Sequence, residues 1–413
     1  MRLPRMTIML GAVAVAAASC GSPPAPMVAD HAAAPPPKPL PLKPRPHRHA
    51  PVAAHPTDVY AHDRPGMLSP RVAKLTPRVY VPNSESDTVD VIDPRTYRVV
   101  RRFRVGALPQ HVVPSWDLKT LWINENQGNQ LVPINPVTGR PGKPVPVDDP
   151  YNLYFTPDGS YALVMAERNN RLDFRDPHTM RLIRSLDMPC RGINHGDFTA
   201  DGSVFLASCE FSGQIVAIDW QRHRVKKVIG VGSGNMPQDV KLSSDGRRFY
   251  VADMMAGGVW IINATTFRRV GFLRTGAGAH GLYVSRDSRR LYVSNRGEGT
   301  VSVVSFATRK VVEQWRIPGG GSPDMGGVSA DGKQLWVRKV RRSRLCPIHH
   351  DRKTAPQDQG RPGAARPVHL PPARTPLPRP HRRVPMIGPP QGPAGRSIGV
   401  AARPHSRPRD DAA

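Results

Sequence analysis

A short turn motif recurs six times in the middle of this 413-residue chain, at intervals of 41 to 44 residues. Each copy has a central Asp with Ser or Thr one or two residues before it, and Gly follows in four copies. An apolar run typical of a β-strand comes next. The central residues are Asp117, Asp158, Asp201, Asp245, Asp287 and Asp331. A period of this length indicates a repeat architecture in which every copy is one supersecondary unit.

One full unit spans residues 245–287. It begins with the turn signal Asp245-Gly246 and continues with short β-branched or aromatic runs at 249–251, 259–262, 269–273 and 280–284. No helical periodicity interrupts them. We expect the four strands of a unit to form one antiparallel sheet, and sheets packed radially around an axis make a β-propeller. The alternative is a β-sandwich, which does not repeat its turn chemistry at constant spacing.

The strand sequences resemble a known repeat. Residues 79–83 (VYVPN), 249–253 (FYVAD) and 291–295 (LYVSN) are similar to the YVTN unit, and the resemblance extends over residues 77–337. It implies an all-β propeller of four-stranded antiparallel blades, in a family usually built with seven blades. It implies little about function, because one fold hosts many activities.

The first twenty residues are typical of an export signal. Arg2 and Arg5 precede an apolar run at 6–18 that is too short to span a bilayer. Residues 17–20 (AASC) resemble the bacterial lipobox, which implies lipidation of Cys20. The alternative is an ordinary secretory signal in which Cys20 has no role. Both interpretations predict an exported protein, either lipid-anchored on the cell-wall side of the membrane or secreted.

The Pro- and Ala-rich residues 21–76 are predicted to be a disordered linker of extended character. The net charge of +27 lies mostly in this segment and in the C-terminal tail. A basic protein suggests nucleic acid or an anionic membrane as a partner. Here the charge lies in Pro-rich stretches without interleaved aromatic residues, so we predict no nucleic-acid binding and membrane contact through the anchor alone.

The composition changes after Val337. Residues 338–413 are rich in Pro and Arg and contain no Phe, Trp or Tyr. The change falls inside the sixth repeat, so the last blade and the closure of the ring are predicted to be disrupted. Two interpretations remain open: a natural disordered basic tail, or a frameshift that replaced the last blade with out-of-frame sequence. The second is favoured, because a natural tail normally follows a complete domain.

Two groups of loops are expected on one rim of the propeller. In the first group, four residues lie six positions before a turn aspartate and two lie seven positions before it. They are His111, Asn152, His195 and Asp239, followed by His280 and Asp324. They enter the innermost strands, so their side chains should surround the mouth of the central channel. The second group contributes Glu125, Glu210 and Asp253 among others. These nine residues are the predicted ligand-binding positions.

The three histidines His111, His195 and His280 are the metal candidates, since imidazole and carboxylate groups suit zinc and similar ions. The preferred interpretation is a hydrated polar ring, because ligands spread over five blades need not converge on one ion. Cys190 and Cys209 fall in the two loop types of one unit, and an oxidising compartment would allow them to pair.

No nucleophile elbow, phosphate loop or haem-attachment motif is present in the sequence. The first functional hypothesis is therefore a monomeric, non-catalytic binding module for a protein, peptide or cell-envelope ligand, with no cofactor evident. The alternatives are a redox or metal-binding subunit and a sugar-lactone hydrolase. YVTN propellers are similar in shape to the haem-binding propeller of a nitrite reductase and to quinone-cofactor dehydrogenases.

Overall fold

A computed structural model describes residues 58–317, 320–339 and 344–348, which form seven antiparallel sheets. Sheets 2 to 6 have four strands each, and sheets 1 and 7 have three. Two short 3-10 helices, Ala61–Asp63 and Glu210–Ser212, are the helical elements within these ranges. The described chain is therefore an all-β propeller of antiparallel blades.

The strands are numbered in chain order. Sheet 1 contains β1 (Val79–Asn83), β2 (Thr88–Asp93) and β3 (Arg98–Arg104); sheet 2 contains β4 (Pro109–Pro114), β5 (Leu121–Glu125), β6 (Gln130–Ile134) and β7 (Val145–Pro146); sheet 3 contains β8 (Pro150–Phe155), β9 (Ala162–Ala166), β10 (Arg171–Arg175) and β11 (Leu182–Asp187); sheet 4 contains β12 (Ile193–Phe198), β13 (Val204–Cys209), β14 (Gln214–Asp219) and β15 (Arg224–Gly230).

The remaining sheets follow the same order. Sheet 5 contains β16 (Pro237–Leu242), β17 (Arg248–Asp253), β18 (Gly258–Asn263) and β19 (Arg269–Arg274); sheet 6 contains β20 (Ala279–Val284), β21 (Arg290–Asn295), β22 (Thr300–Ser305) and β23 (Lys310–Arg316); sheet 7 contains β24 (Pro323–Val328), β25 (Leu335–Lys339) and β26 (Arg344–Ile348).

The sequence unit and the sheet are offset by one strand. The unit at 245–287 contains β17, β18, β19 and β20, but β20 pairs with β21 and not with β19. The expectation that the four strands of one unit form one sheet is therefore wrong. After the outermost strand the chain crosses to the next sheet and begins it with that sheet's innermost strand.

The innermost strands β4, β8, β12, β16, β20 and β24 contact one another in sequence around the ring. Sheet 1 begins instead with β1, which is equivalent to the second strand of the other sheets and contacts β4. Six sheets thus supply an innermost strand. Within the described residues the family pattern of seven complete blades is not met, since sheet 1 has no innermost strand there and sheet 7 no outermost one.

Each pair of neighbouring sheets is joined by its own apolar cluster. The cluster between sheets 3 and 4, for example, includes Phe174 and Phe205, both fully buried. Sheets 7 and 1 are joined by Trp336, which packs with Val81 and Ile92. The indole of Trp336 also lies 5.8 Å from the ring of Tyr97, measured between centroids. Side-chain contacts therefore connect the two ends of the ring: this apolar packing and a hydrogen bond from Gln334 Nε2 to the Tyr97 hydroxyl at 3.0 Å.

The described strands also extend beyond Val337. The strand β25 runs to Lys339, and β26 pairs with it in antiparallel register. Sheet 7 therefore continues past Val337, the position at which the sequence predicts the disruption of the last blade.

The recurring turn has one hydrogen-bonding pattern in all six copies. A hydroxyl donates to the turn aspartate, as from Ser115 to Asp117 at 2.8 Å, and also accepts the backbone N–H that starts the next strand. In the fourth copy the hydroxyl is that of Ser243 rather than Ser244. The residue after the aspartate has φ near +60 to +73° in every copy, which favours the glycine found in four of them.

Residues 58–76 belong to the predicted linker, yet part of this segment packs on the propeller. The backbone N–H of Val59 donates to the carbonyl of Ser244 at 2.8 Å, and the Tyr60 hydroxyl donates to the carbonyl of Leu242 at 2.8 Å. Arg286 donates to the carbonyl of Asp63. We call residues 58–71 the strap. The predicted linker does not extend through the strap, because Val59 and Tyr60 have apolar surface to bury.

The predicted signal segment with Cys20, the linker up to residue 57 and most of the tail lie outside the described residues. Among the residues that the structure does describe, no helix combines the length and apolar character needed to cross a bilayer.

Candidate functional site in the axial channel

The six innermost strands place two layers of side chains at the centre of the ring. The second residues of these strands form the first ring: Gln110, Tyr151, Asn194, Gln238, His280 and Asp324. The third residues form the second ring: His111, Asn152, His195, Asp239 and Met325, with Gly281 as its sixth member. His280 and Asp324 therefore lie in a different layer from the other four predicted strand residues.

Both layers face inward because every innermost strand is irregular at this point. The pairing register shifts between Pro109 and Val112 in β4, and at equivalent positions in the other five innermost strands. A β-bulge of this kind re-aims side chains that would otherwise alternate between the two faces of a sheet. The side chains of both rings are buried.

A cavity of about 580 Å³ begins at the second ring and extends toward the strap. His111, Asn152, His195 and Asp239 line its closed end. Residues of the recurring turns line its other end, together with strap residues. The sequence predicts these four side chains at the mouth of the central channel; in the structure they line the cavity, together with residues of the recurring turns at the far ends of the innermost strands.

Asn152 and His195 form a fixed pair at the closed end of the cavity. The Asn152 Nδ2 lies 3.1 Å from His195 Nδ1 and also donates to the Tyr154 hydroxyl at 3.1 Å. The Asn152 Oδ1 accepts the backbone N–H of Leu153 at 2.9 Å. These contacts assign the amide orientation, so His195 Nδ1 is a hydrogen-bond acceptor.

The histidine side chains contact one another as aromatic rings. His195 lies 5.3 Å from His111 and 6.4 Å from His280, measured between centroids, with the rings nearly perpendicular in both pairs. Burial lowers the pKa of His195 to about 3, and nearby Lys241 acts in the same direction. Burial also lowers the pKa of His111 and of His280 well below the usual value. All three imidazoles are therefore neutral at pH 7.

The three metal candidates do not form a coordination site in this arrangement. No group of three or more His, Cys, Asp or Glu within the described ranges is placed to hold a metal ion. The Nε2 atoms of His111 and His195 are buried and have no hydrogen-bond partner in the described protein.

Asp239 and Lys241 add a charged pair beside His195. The Lys241 ammonium donates to Asp239 Oδ1 at 3.2 Å and to the carbonyl of Val240 at 3.1 Å. The other carboxylate oxygen of Asp239 accepts the backbone N–H of Leu282. Only 14% of the Lys241 side chain is exposed, so its charge is balanced locally by Asp239.

The first ring contains a second charged group around Asp324. His280 Nδ1 lies 3.3 Å and Arg296 Nη1 3.5 Å from its Oδ1. Burial raises the pKa of Asp324 to about 6, while Arg296 and Arg338 oppose this shift.

Glu210 joins the first ring through an amide. Asn194 Nδ2 donates to its carboxylate at 2.8 Å. Glu167 from the neighbouring sheet interacts with the Glu210 carboxyl group, and burial raises the pKa of both acids. The two carboxyl groups therefore favour retention of a proton.

The other two predicted residues, Asp253 and Glu125, form hydrogen bonds that stabilise nearby loops and strands. Asp253 accepts two backbone N–H groups of its own loop, that of Met236 in the loop before β16 at 3.1 Å, and the indole N–H of Trp260 at 2.9 Å. Glu125 bonds to Gln130. Neither residue lines the cavity, so both have local structural roles.

Cys190 and Cys209 are joined by a disulfide within sheet 4 and the loop that enters it. Both cysteines belong to the buried cluster between sheets 3 and 4. The bond therefore links the entry loop of this sheet to the end of its second strand.

The sequence reasoning missed several cavity residues. Tyr154 and Lys241 lie two positions after a ring residue on the same strand, and strand alternation would have identified them. The strap residues Val59 and Tyr60 also line the cavity. Their sequence indicated this only weakly, as an apolar and aromatic pair at the end of the Pro-rich stretch.

A family model for YNCE-like β-propellers matches residues 68–353, more than half of the chain. The chain belongs to this family. Among curated proteins none matches significantly. The YNCE-like propeller thus has a family assignment that covers all seven sheets.

Solved structures similar to this YNCE-like propeller include hydrazine synthase from Kuenenia stuttgartiensis, with TM-score 0.58, 18% identity, and coverage of 65% of this chain and 91% of that one. A functionally unknown protein from Desulfotomaculum acetoxidans has TM-score 0.58 and 14% identity over 66% and 92% of the two chains. Dihydro-heme d1 dehydrogenase NirN has TM-score 0.52 and 13% identity over 78% and 75%. At these identities the likeness concerns the fold alone.

Proposed function

We propose that this protein is an exported, lipid-anchored propeller that acts as a binding module and holds a small polar ligand in its axial cavity. The observation that carries the proposal is the cavity of about 580 Å³ at the centre of the ring. Its volume falls in the range of roughly 300–1,000 Å³ typical of small-molecule sites.

The chemistry of the lining supports a binding role. The closed end presents polar side chains such as Asn152 and Asp239, and the walls include apolar and aromatic residues. A few convergent polar groups in an otherwise apolar pocket fix the orientation of a ligand. Their hydrogen bonds to neighbouring strands hold them in place before a ligand arrives, which lowers the cost of binding.

Export is supported by the sequence of residues 1–20, and a lipid on Cys20 would tether the propeller through the linker. Mass spectrometry of the mature N-terminus tests this part directly. Cys20→Ala should release the protein from the membrane fraction; a variant that stays in that fraction would contradict the anchor.

The ligand site is tested by filling the cavity. Val113 lines it, so Val113→Trp should block binding, whereas Val137→Trp makes the same change at a side chain that is 75% exposed and outside the cavity. Native mass spectrometry with a panel of neutral, anionic and cationic small molecules measures retention. Circular dichroism of both variants checks folding. Binding that survives Val113→Trp, or no retention by the wild type, would overturn the proposal.

A further inference from the structure

The imidazole of His195 offers a hydrogen-bond donor to the cavity. Its Nδ1 accepts from Asn152, so the proton of the neutral ring is on Nε2. That atom is buried and has no partner in the described protein, and His195 is 1% exposed. A buried donor without an acceptor is costly, and a ligand oxygen at this point would remove the cost.

An acceptor lies on the neighbouring strand of the same ring. Asp239 Oδ2 accepts one backbone N–H, from Leu282 at 3.0 Å, and a carboxylate oxygen can accept a second hydrogen bond. A group that both accepts from His195 and donates to Asp239 would satisfy the two side chains together. A hydroxyl does both, whereas a carbonyl only accepts.

The second ring, where the cavity begins, has no uncompensated cation or anion for a charged ligand. Lys241 is paired with Asp239, and the imidazoles of His111 and His195 are neutral at pH 7. A charged ligand would lose its hydration and gain no opposite charge in return. The balance of charge at the second ring therefore favours a neutral group at that point, while Asp197, on β12, and Arg286, in the turn after β20, also line the cavity.

The walls add aromatic surface above this polar end. Tyr60, Trp116, Phe155 and Phe198 are among the lining residues. Trp116 is 51% exposed, and its indole N–H donates to the carbonyl of Pro157 at 3.2 Å, which fixes the ring at the outer part of the cavity. Aromatic rings of this kind combine a large apolar face with a defined geometry.

We propose that the axial cavity binds a neutral sugar. One of its hydroxyls accepts from His195 Nε2–H and donates to Asp239 Oδ2, and its C–H face packs on the aromatic wall. This assignment of ligand class rests on the proposed function.

Calorimetric titration of the purified full-length protein tests the ligand class. The probes are glucose, N-acetylglucosamine and maltose, compared at pH 7 with glucuronate, which adds a negative charge, and with glucosamine, which adds a positive one. We expect the neutral sugars to bind at least tenfold more tightly than the charged analogues. Equal or tighter binding of a charged analogue would overturn the inference.

Two substitutions at His195 locate the contact. His195→Phe removes the donor and should weaken sugar binding at least tenfold, whereas His195→Gln keeps an N–H donor and should recover part of the affinity. His178→Phe is the matched control, because His178 is exposed and outside the cavity. If His195→Phe does not fold, nitrogen NMR of the wild-type imidazole replaces it: a sugar that leaves the His195 Nε2 resonance unmoved contradicts the contact.

The outcomes separate this inference from the proposed function. If no sugar binds but another small molecule is retained and then lost in Val113→Trp, the ligand class is wrong and the binding module stands. If no small molecule of any class is retained, both are overturned.

Discussion

The interface between sheets 3 and 4 and the seam between sheets 7 and 1 each join two neighbouring sheets, but they bury very different amounts of apolar surface. Among the described side chains, the first buries fourteen apolar residues and contains a disulfide, whereas three buried apolar residues join the sheets at the seam. Each of the two middle sheets has an innermost strand, whereas in the part of the chain that the structure describes sheet 7 has one and sheet 1 does not. A propeller can therefore close on much less apolar surface than its regular interfaces use, and the seam is its weakest joint.

The seam also buries a guanidinium group. Arg338, on β25, is 9% exposed, and its Nη1 has no hydrogen-bond partner in the described residues. Burial lowers its pKa, and Asp324 and Glu85 oppose that shift. A buried guanidinium whose charge is only partly compensated stabilises the fold less than packed apolar side chains in the same position would. The seam is therefore expected to open before the middle of the ring.

The largest effect is expected at the middle interface. Phe205 is fully buried and packs on Tyr154 and Phe198, so Phe205→Ala should lower the free energy of unfolding by about 3–5 kcal/mol. Urea unfolding followed by tryptophan fluorescence measures this. Phe211→Ala is the matched control, since Phe211 is 47% exposed, and it should change little. Equal losses in the two variants would refute the packing argument.

Shortening the buried side chain at the seam should destabilise only the sheets next to it. Trp336 is 3% exposed. Trp336→Ala should lower the free energy of unfolding by about 3 kcal/mol, the lower end of the range for such changes. The loss is small because the seam has few other apolar contacts to disrupt. Hydrogen exchange should show faster exchange in β1 and β25 and unchanged protection in β13 and β14. Uniformly faster exchange through all sheets would mean that the seam is not a separate weak joint.

The buried acid beside the seam should make stability depend on pH. The pKa of Asp324 is about 6 in the folded protein, above the ordinary value of about 4, so the folded state binds its proton more tightly than the unfolded chain. This contribution to stability is complete below pH 4 and is lost as the pH rises through 6, amounting to about 2–3 kcal/mol.

Urea unfolding at several pH values measures that loss. Asp324→Asn should flatten the decline between pH 4 and 6, whereas Asp187→Asn, at an exposed position, should leave it intact. An unchanged slope in Asp324→Asn would assign the pH dependence to other groups.

The smallest effect concerns the strap. Tyr60→Phe removes one hydrogen bond, to the carbonyl of Leu242, and should cost about 1 kcal/mol. Limited proteolysis should then cut residues 58–71 faster. Tyr97→Phe makes the same change at the seam, where the Tyr97 hydroxyl accepts from Gln334 at 3.0 Å, and should leave the strap protected. Faster strap cleavage in both variants would mean that the strap and the seam are not independent.

Much of the fold was predictable from local chemistry. Six turns with a hydroxyl, an aspartate and usually a glycine gave the architecture, because each turn satisfies its own backbone groups wherever it occurs. The same spacing identified His111, Asn152, His195 and Asp239 as one set. Glu125 and Asp253 do not line the cavity, and sequence alone could not separate them from the others, since a loop acid that holds neighbouring backbone groups has the same sequence appearance as one that faces a ligand.

The sequence by itself determined the repeat, the strands and the residues that enter the innermost strands, since turn and strand preferences act over a few neighbouring positions. Only the tertiary structure decided which sheet each strand joins, that the bulges turn two successive residues inward, and that the cavity lies between the second ring and the strap. These features depend on contacts between residues far apart in the chain. Tyr60, for example, meets Leu242 across 182 positions, a pairing that no local preference encodes.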